Sequence, residues 1–143
     1  MSVFIDTNVL LRSVQPSHPM HAAAVRAVAG FIRDGEALVV TPQVVAEFWN
    51  VATRSIDKNG LGLSNQDAHN EVGKLEEFCT LLVESIDVYT EWKRLVRMLG
   101  VSGVKVHDAR LVAAMNVHGV GRILTFNAQD FSRYREIQAI VPA

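Results

Sequence analysis

The chain of 143 residues contains one cysteine, Cys79, so no intramolecular disulfide is possible and nothing points to an oxidising compartment. No apolar run approaches the roughly 18 residues needed to cross a bilayer. The opening Met1-Ser2-Val3-Phe4-Ile5-Asp6 lacks a basic n-region and meets an acid too early for a signal peptide. A cytoplasmic protein with no membrane segment is the expectation. Neither sign of charge is in excess: 14 Lys and Arg against 15 Asp and Glu leave a net charge of −1. That argues against indiscriminate nucleic-acid binding, which leaves a basic footprint, but allows a local basic surface around an acidic centre. Repeats, low-complexity tracts and Pro/Ser-rich linkers are missing. So are the glycine-rich phosphate loop, the dinucleotide fingerprint and any Ser/His/Asp or Cys/His nucleophile pattern. The five histidines, His18, His21, His69, His107 and His118, show no metal-ligand spacing.

What remains, 49% hydrophobic and 20% charged, is ordinary for a globular protein and fits one domain over residues 1–143 with a real core. Val3–Asp6 reads as a short buried strand, followed by a helical start over Thr7–Val14. An alanine-rich helix is expected over His21–Arg33, a strand over Ala37–Val40, and a helix from Thr41-Pro42, as cap and first-turn proline, to about Ile56. Ser64, with Asp67 three residues on, caps a helix to about Phe78. A third strand over Leu81–Glu84, helices over Asp87–Leu99 and Asp108–His118, and strands over Ile123–Thr125 and Ile137–Val141 complete the pattern. Strands alternating with helices imply a parallel sheet covered on both faces, with ligands beyond the carboxyl ends of its strands.

Three carboxylates stand out against this frame. Asp6 ends the apolar run Val3-Phe4-Ile5. Glu47 lies within the helical stripe Val44, Phe48, Val51. Asp108 opens the stripe Leu111, Val112, Met115. Each is expected to face inward, where a carboxylate costs several kcal/mol unless positive charge compensates it. No lysine or arginine shares these stripes, so a divalent ion is the natural partner. Mg²⁺ and Mn²⁺ take oxygen ligands from one or two carboxylates plus waters. A pair of them about 4 Å apart can clamp a phosphodiester. Asp6 and Asp108 are the best direct ligands, and Glu47 would hold a second ion or orient the attacking water. Past the fourth strand, Thr125 could hydrogen-bond an acid, Asn127 could ligate weakly or through water, and Asp130 could add charge.

Each residue also has a bland reading. Asp6 could be an N-cap, Asp108 a complement to a helix dipole, Thr125 and Asn127 turn residues, and Asp130 a surface acid. His107 reads as a cap in preference to a substrate contact, and Trp49 and Trp92 as core or interface residues in preference to base-stacking platforms. Lys93, Arg94, Arg97, Lys105 and Arg110 read as a solvated helix face near the approach to Asp108, although RNA phosphates would suit them.

The blocks Phe4-Ile5-Asp6-Thr7-Asn8-Val9-Leu10-Leu11, Glu47, His107-Asp108-Ala109 with Leu111-Val112-Ala113-Ala114, and Leu124-Thr125-Phe126-Asn127 with Asp130-Phe131 resemble the PIN domain. Within it they are most similar to ribonuclease toxins of the VapC type, over essentially the whole chain. The resemblance implies a three-layer α/β/α sandwich on a parallel sheet of about five strands. It implies an endoribonuclease dependent on Mg²⁺ or Mn²⁺, acting on RNA, homodimeric, and inhibited by a small antitoxin. It carries the acidic core onto Asp6, Glu47 and Asp108, and the fourth family position, often Asp, onto Asn127. That departure makes Asp130 a secondary candidate and leaves open one ion or two. A non-catalytic PIN-like module that binds RNA or protein is the alternative. A haloacid-dehalogenase-like phosphatase with Asp6 as nucleophile fits less well, because Asn8 stands where that scheme wants an acid and no lysine lies in Thr125–Phe131.

Overall fold

A computed structural model describes all residues, Met1–Ala143. Three of the strands are short, largely apolar segments that end just before a polar residue, β1 (Ser2–Ile5), β2 (Ala37–Val40) and β4 (Arg122–Leu124); β3 (Cys79–Leu81) and β5 (Gln138–Ile140) are the edge strands. They form one sheet in the order β3-β2-β1-β4-β5, every neighbouring pair parallel. Val3, Phe4 and Ile5 of the central strand are wholly buried, the continuous apolar run of a strand covered on both faces.

The connections assign the layers. From β1 to β2 the chain passes through α1 (Thr7–Ser13) and α2 (His21–Arg33), and from β2 to β3 through α3 (Pro42–Thr53) and α4 (Asn65–Phe78). Both crossovers step in one direction, so right-handedness puts these four helices on one face, where α1 packs on α2 and α3, and α3 on α4. From β3 the chain returns across the sheet to β4 through α5 (Ile86–Leu99) and α6 (Lys105–His118), which pack on each other over the opposite face. The order therefore reverses between β1 and β4, and the crevice at their carboxyl ends is the switch point where such sheets bind ligands.

Several boundaries differ from the sequence reading. The third strand is Cys79–Leu81, not Leu81–Glu84. Its place is set by pairing of Leu38 with Cys79 and Val40 with Leu81, a long-range register that local patterning does not reveal. Helix α3 stops at Thr53 short of Ile56, because Arg54 is extended and the chain turns back so that the amides of Leu61 and Leu63 donate to the carbonyls of Val51 and Ala52. Gly60 is required in that turn, since a Cβ there would lie 2.0 Å from the Arg54 carbonyl oxygen. Helix α6 begins at Lys105, three residues ahead of Asp108, with Val104 at its cap position. The run Leu111–Met115 is buried throughout, so α6 is enclosed over more of its circumference than a striped surface helix. No helix is long and apolar enough to cross a membrane. The lone thiol of Cys79 is pushed up to about 12 by burial, which leaves it protonated and unreactive near neutrality.

Candidate active site

The segment Asp6-Thr7-Asn8 leaves β1 and enters α1, and each side chain in it ties a different element to the switch point. Asp6 is the N-cap of α1, its Oδ1 accepting from the Thr7 amide at 2.8 Å. Its Oδ2 accepts from the Thr125 hydroxyl at 2.7 Å and the Asn8 amide at 3.2 Å. Thr7 donates its hydroxyl to Glu47 Oε2 at 2.9 Å, so the residue beside the first acid holds the second. Asn8 accepts from the Phe126 amide at 3.1 Å and so clamps the turn after β4. Thr125, wholly buried, also accepts the amide of Asn127 at 3.0 Å.

Helix α3 brings in Glu47. Gln43, one turn earlier, donates its Nε2 to Glu47 Oε1 at 2.9 Å and to the His107 carbonyl at 3.1 Å, linking α3 to the first turn of α6. Asp108 follows His107 and is half-buried there. Lys105, one turn before it, pairs with Asp130 at 2.9 Å across the mouth.

Electrostatics bind these acids into one group. Burial above all, with the charges of Asp108 and Glu47, raises the Asp6 carboxyl to about 6 against the opposing hydrogen bonds from Thr125 and Thr7. Asp108 is raised by burial, then by Asp130 and Glu47, against the pull of Lys105 and His107. No Lys or Arg bonds to Asp6, Glu47 or Asp108; Lys105 is engaged by Asp130, Arg110 by Glu84 and Arg94 by Glu91.

The structure thus brings Asp6, Glu47 and Asp108 together, but not as the closed cage the sequence suggests. No three acidic, histidine or cysteine side chains converge at ligand spacing. The reason is visible: the oxygens of Asp6 and Glu47 are already held by Thr7, Asn8, Gln43 and Thr125. The donor set still fits a hard cation, since it is all oxygen, negative and uncompensated, and such ions keep several waters. Gln43 Oε1 is buried there without a partner, a further free acceptor. Asn127 joins the group through its backbone: its amide donates to Thr125 and its carbonyl accepts the Asp130 amide at 3.0 Å, while its exposed side chain makes no hydrogen bond within the chain. His107, expected to cap α6, lies inside its first turn with its imidazole exposed, and no side chain caps that helix. The sequence reading gave no role to Thr7, Asn8 or Gln43. For Gln43 the signal was its spacing of four residues from Glu47 on one helix.

An α/β/α domain with a hydrogen-bonded acid cluster at the switch point of a parallel sheet is the class that fold and site define. The chain belongs to the PIN domain family, whose model matches residues 3–137. Its fold is that of solved VapC toxins. The VapBC2 structure from Rickettsia felis, bound to a DNA fragment from its promoter, matches with a TM-score of 0.71 at 12% identity, covering 99% of this chain and 98% of that one. VapBC-1 from nontypeable Haemophilus influenzae matches with a TM-score of 0.71 at 15% identity and the same coverage. The sarcin–ricin-loop-cleaving toxin VapC20 from Mycobacterium tuberculosis matches with a TM-score of 0.69 at 17% identity, over 92% of this chain and 95% of that one. At these identities the likeness is one of fold. Comparison with curated proteins gives no match.

Proposed function

We propose that this chain, acting as one nuclease domain over residues 1–143, is a divalent-metal-dependent endoribonuclease and the toxin of a VapBC-type toxin–antitoxin pair. The observation that carries the reading is the uncompensated acid group at the ends of β1 and β4, where a buried Asp6 feels the charge of both Glu47 and Asp108. Family membership and the fold shared with VapC toxins support it.

Asp6 and Asp108 would hold an Mg²⁺ or Mn²⁺ ion, with Glu47 completing its shell or holding a second. The ion would supply Lewis acidity for phosphodiester hydrolysis. Thr125 and Asn8 fix the Asp6 carboxylate, Thr7 and Gln43 fix Glu47, and Asn127 takes the fourth position, toward which its free amide can turn. Lys105 limits the charge that Asp130 presents at the mouth. A small antitoxin, a homodimer and a cytoplasmic site of action complete the proposal.

Purified protein incubated with total RNA should cut it in Mn²⁺ or Mg²⁺, not in EDTA, and Asp108→Asn should lose at least about a hundredfold in rate while keeping its circular dichroism. Cleavage retained by that variant, or unaffected by EDTA, refutes the mechanism. A PIN-like module that binds RNA or protein without cutting is the second reading, favoured by Asn127 where the resemblance leads one to expect an acid. Metal-dependent fragments separate the two.

A further inference from the structure

We propose that the cleft between the first turns of α5 and α6 is a nucleobase subsite, where a base of the single-stranded RNA substrate stacks on Tyr89 and Trp92. The inference deepens the nuclease reading and rests on it. The cleft holds about 420 Å³, within the range of roughly 300–1,000 Å³ usual for small-molecule sites. Its aromatic wall pairs an exposed ring with a half-buried one. The Tyr89 and Trp92 rings lie 6.1 Å apart and tilted by 35°, so together they present one broad surface. Tyr89 is 53% exposed, while the burial on this helix is done by Val88 and Leu95, so packing does not account for the position of its ring. Trp92 is fixed by its Nε1, which donates to the Val106 carbonyl at 2.8 Å. A ring already held in one orientation loses little entropy when a base stacks on it.

The rim supplies polar groups of the right kind. The imidazole of His107 makes no hydrogen bond within the chain, and the hydroxyl of Ser85 does not cap α5, so both are free for a base edge. Arg110 reaches Glu84 through Nη2 alone, at 3.0 Å to each oxygen, which leaves Nη1 and Nε for a phosphate. An apolar side chain from a protein partner would use none of these groups. The cleft and the acids flank the same first turn of α6. His107 precedes Asp108 in α6, and its carbonyl accepts the same Gln43 amide that holds Glu47. His107 and Arg110 face the cleft while Asp108 lies on the other side of the same turn, so a base in the cleft and a phosphate at Asp108 belong to one strand that crosses the first turn of α6.

The test is fluorescence anisotropy of a randomised RNA decamer and of an abasic decamer of equal length, with Mn²⁺ and an Asp108→Asn background to prevent cutting. Into that parent, Tyr89→Ala and Tyr89→Phe are introduced. Tyr89→Ala should weaken RNA binding roughly tenfold, as loss of a stacking partner does. Tyr89→Phe should bind as the parent does, and the abasic strand should not distinguish the three proteins. Equal RNA affinity in all three overturns the subsite and leaves the nuclease reading standing. A parent with no affinity for RNA overturns the subsite, and metal-dependent cleavage by the native chain decides the nuclease reading separately. If Tyr89→Ala changes only the oligomeric state in sedimentation, with RNA affinity intact, the face belongs to a second copy of the chain and the subsite is wrong.

Discussion

Asp6 shows how the bland and the functional readings of one residue can both hold. Its Oδ1 does what an N-cap does, while its Oδ2 is turned to Thr125 across the switch point. The cost of keeping it there appears in its titration. Folded, it retains its proton up to about pH 6, against an ordinary value of 3.8. Between those two values the folded chain binds more protons than the unfolded one, so this group's contribution to stability is lost as pH rises through the window. Urea denaturation of the metal-free protein should show the stability of Asp6→Asn gaining on that of the native chain from about pH 4 to about pH 7.5. The expected change is up to about 3 kcal/mol. A gap that does not move with pH would mean Asp6 ionises as in free peptide. Thr125 belongs to the same scale. Thr125→Val keeps the shape but leaves a buried Asp6 oxygen, and the part-buried Asn127 amide, short of a partner. It should cost about 2 kcal/mol by thermal or chemical denaturation.

At the scale of elements, the site depends on where helices start and how they are held. Helix α3 begins at Pro42 behind a Thr41 cap that is 1% exposed, its hydroxyl accepting from the Val44 amide. About one and a half turns on, the same helix delivers Glu47. Thr41→Ala should therefore lower stability by about 1 kcal/mol and loosen the position of Glu47, read as a lower melting temperature and weaker metal binding. These elements were legible wherever the signal is local. His21–Arg33 and Ala37–Val40 fall as the pattern predicts, and Ser64 caps α4 by accepting the Asp67 amide. The expected starts of β3 and α6 were displaced. In β3 the apolar run Cys79–Val83 could slide along β2, and only pairing chose the register. In α6 the turn at Gly103 admits Lys105 to the helix, and no capping side chain marks the start.

The whole molecule decides whether the acids act as one. Reversal of strand order between β1 and β4 puts Asp6 and Thr125 side by side although 119 residues separate them. Because the acids are mutually repulsive and uncompensated, a divalent ion that binds only the folded chain should stabilise it. Near neutral pH, Mn²⁺ at about a hundred times its dissociation constant should add roughly 2.7 kcal/mol. Thermal melts should rise for the native chain and stay flat for Asp108→Asn, and a rise equal in both would place the ion elsewhere. By itself the sequence determined the alternation of elements, the parallel class of the sheet and which acids lie on inward stripes, because periodicity, caps and apolar runs act over a few residues. Only the tertiary structure decided that Thr7 and Gln43 hold Glu47, that Lys105 is engaged by Asp130, and that Tyr89 and Trp92 line a cleft with the first turn of α6. Those relations join residues distant in the chain, and their partners are fixed by strand order and helix packing.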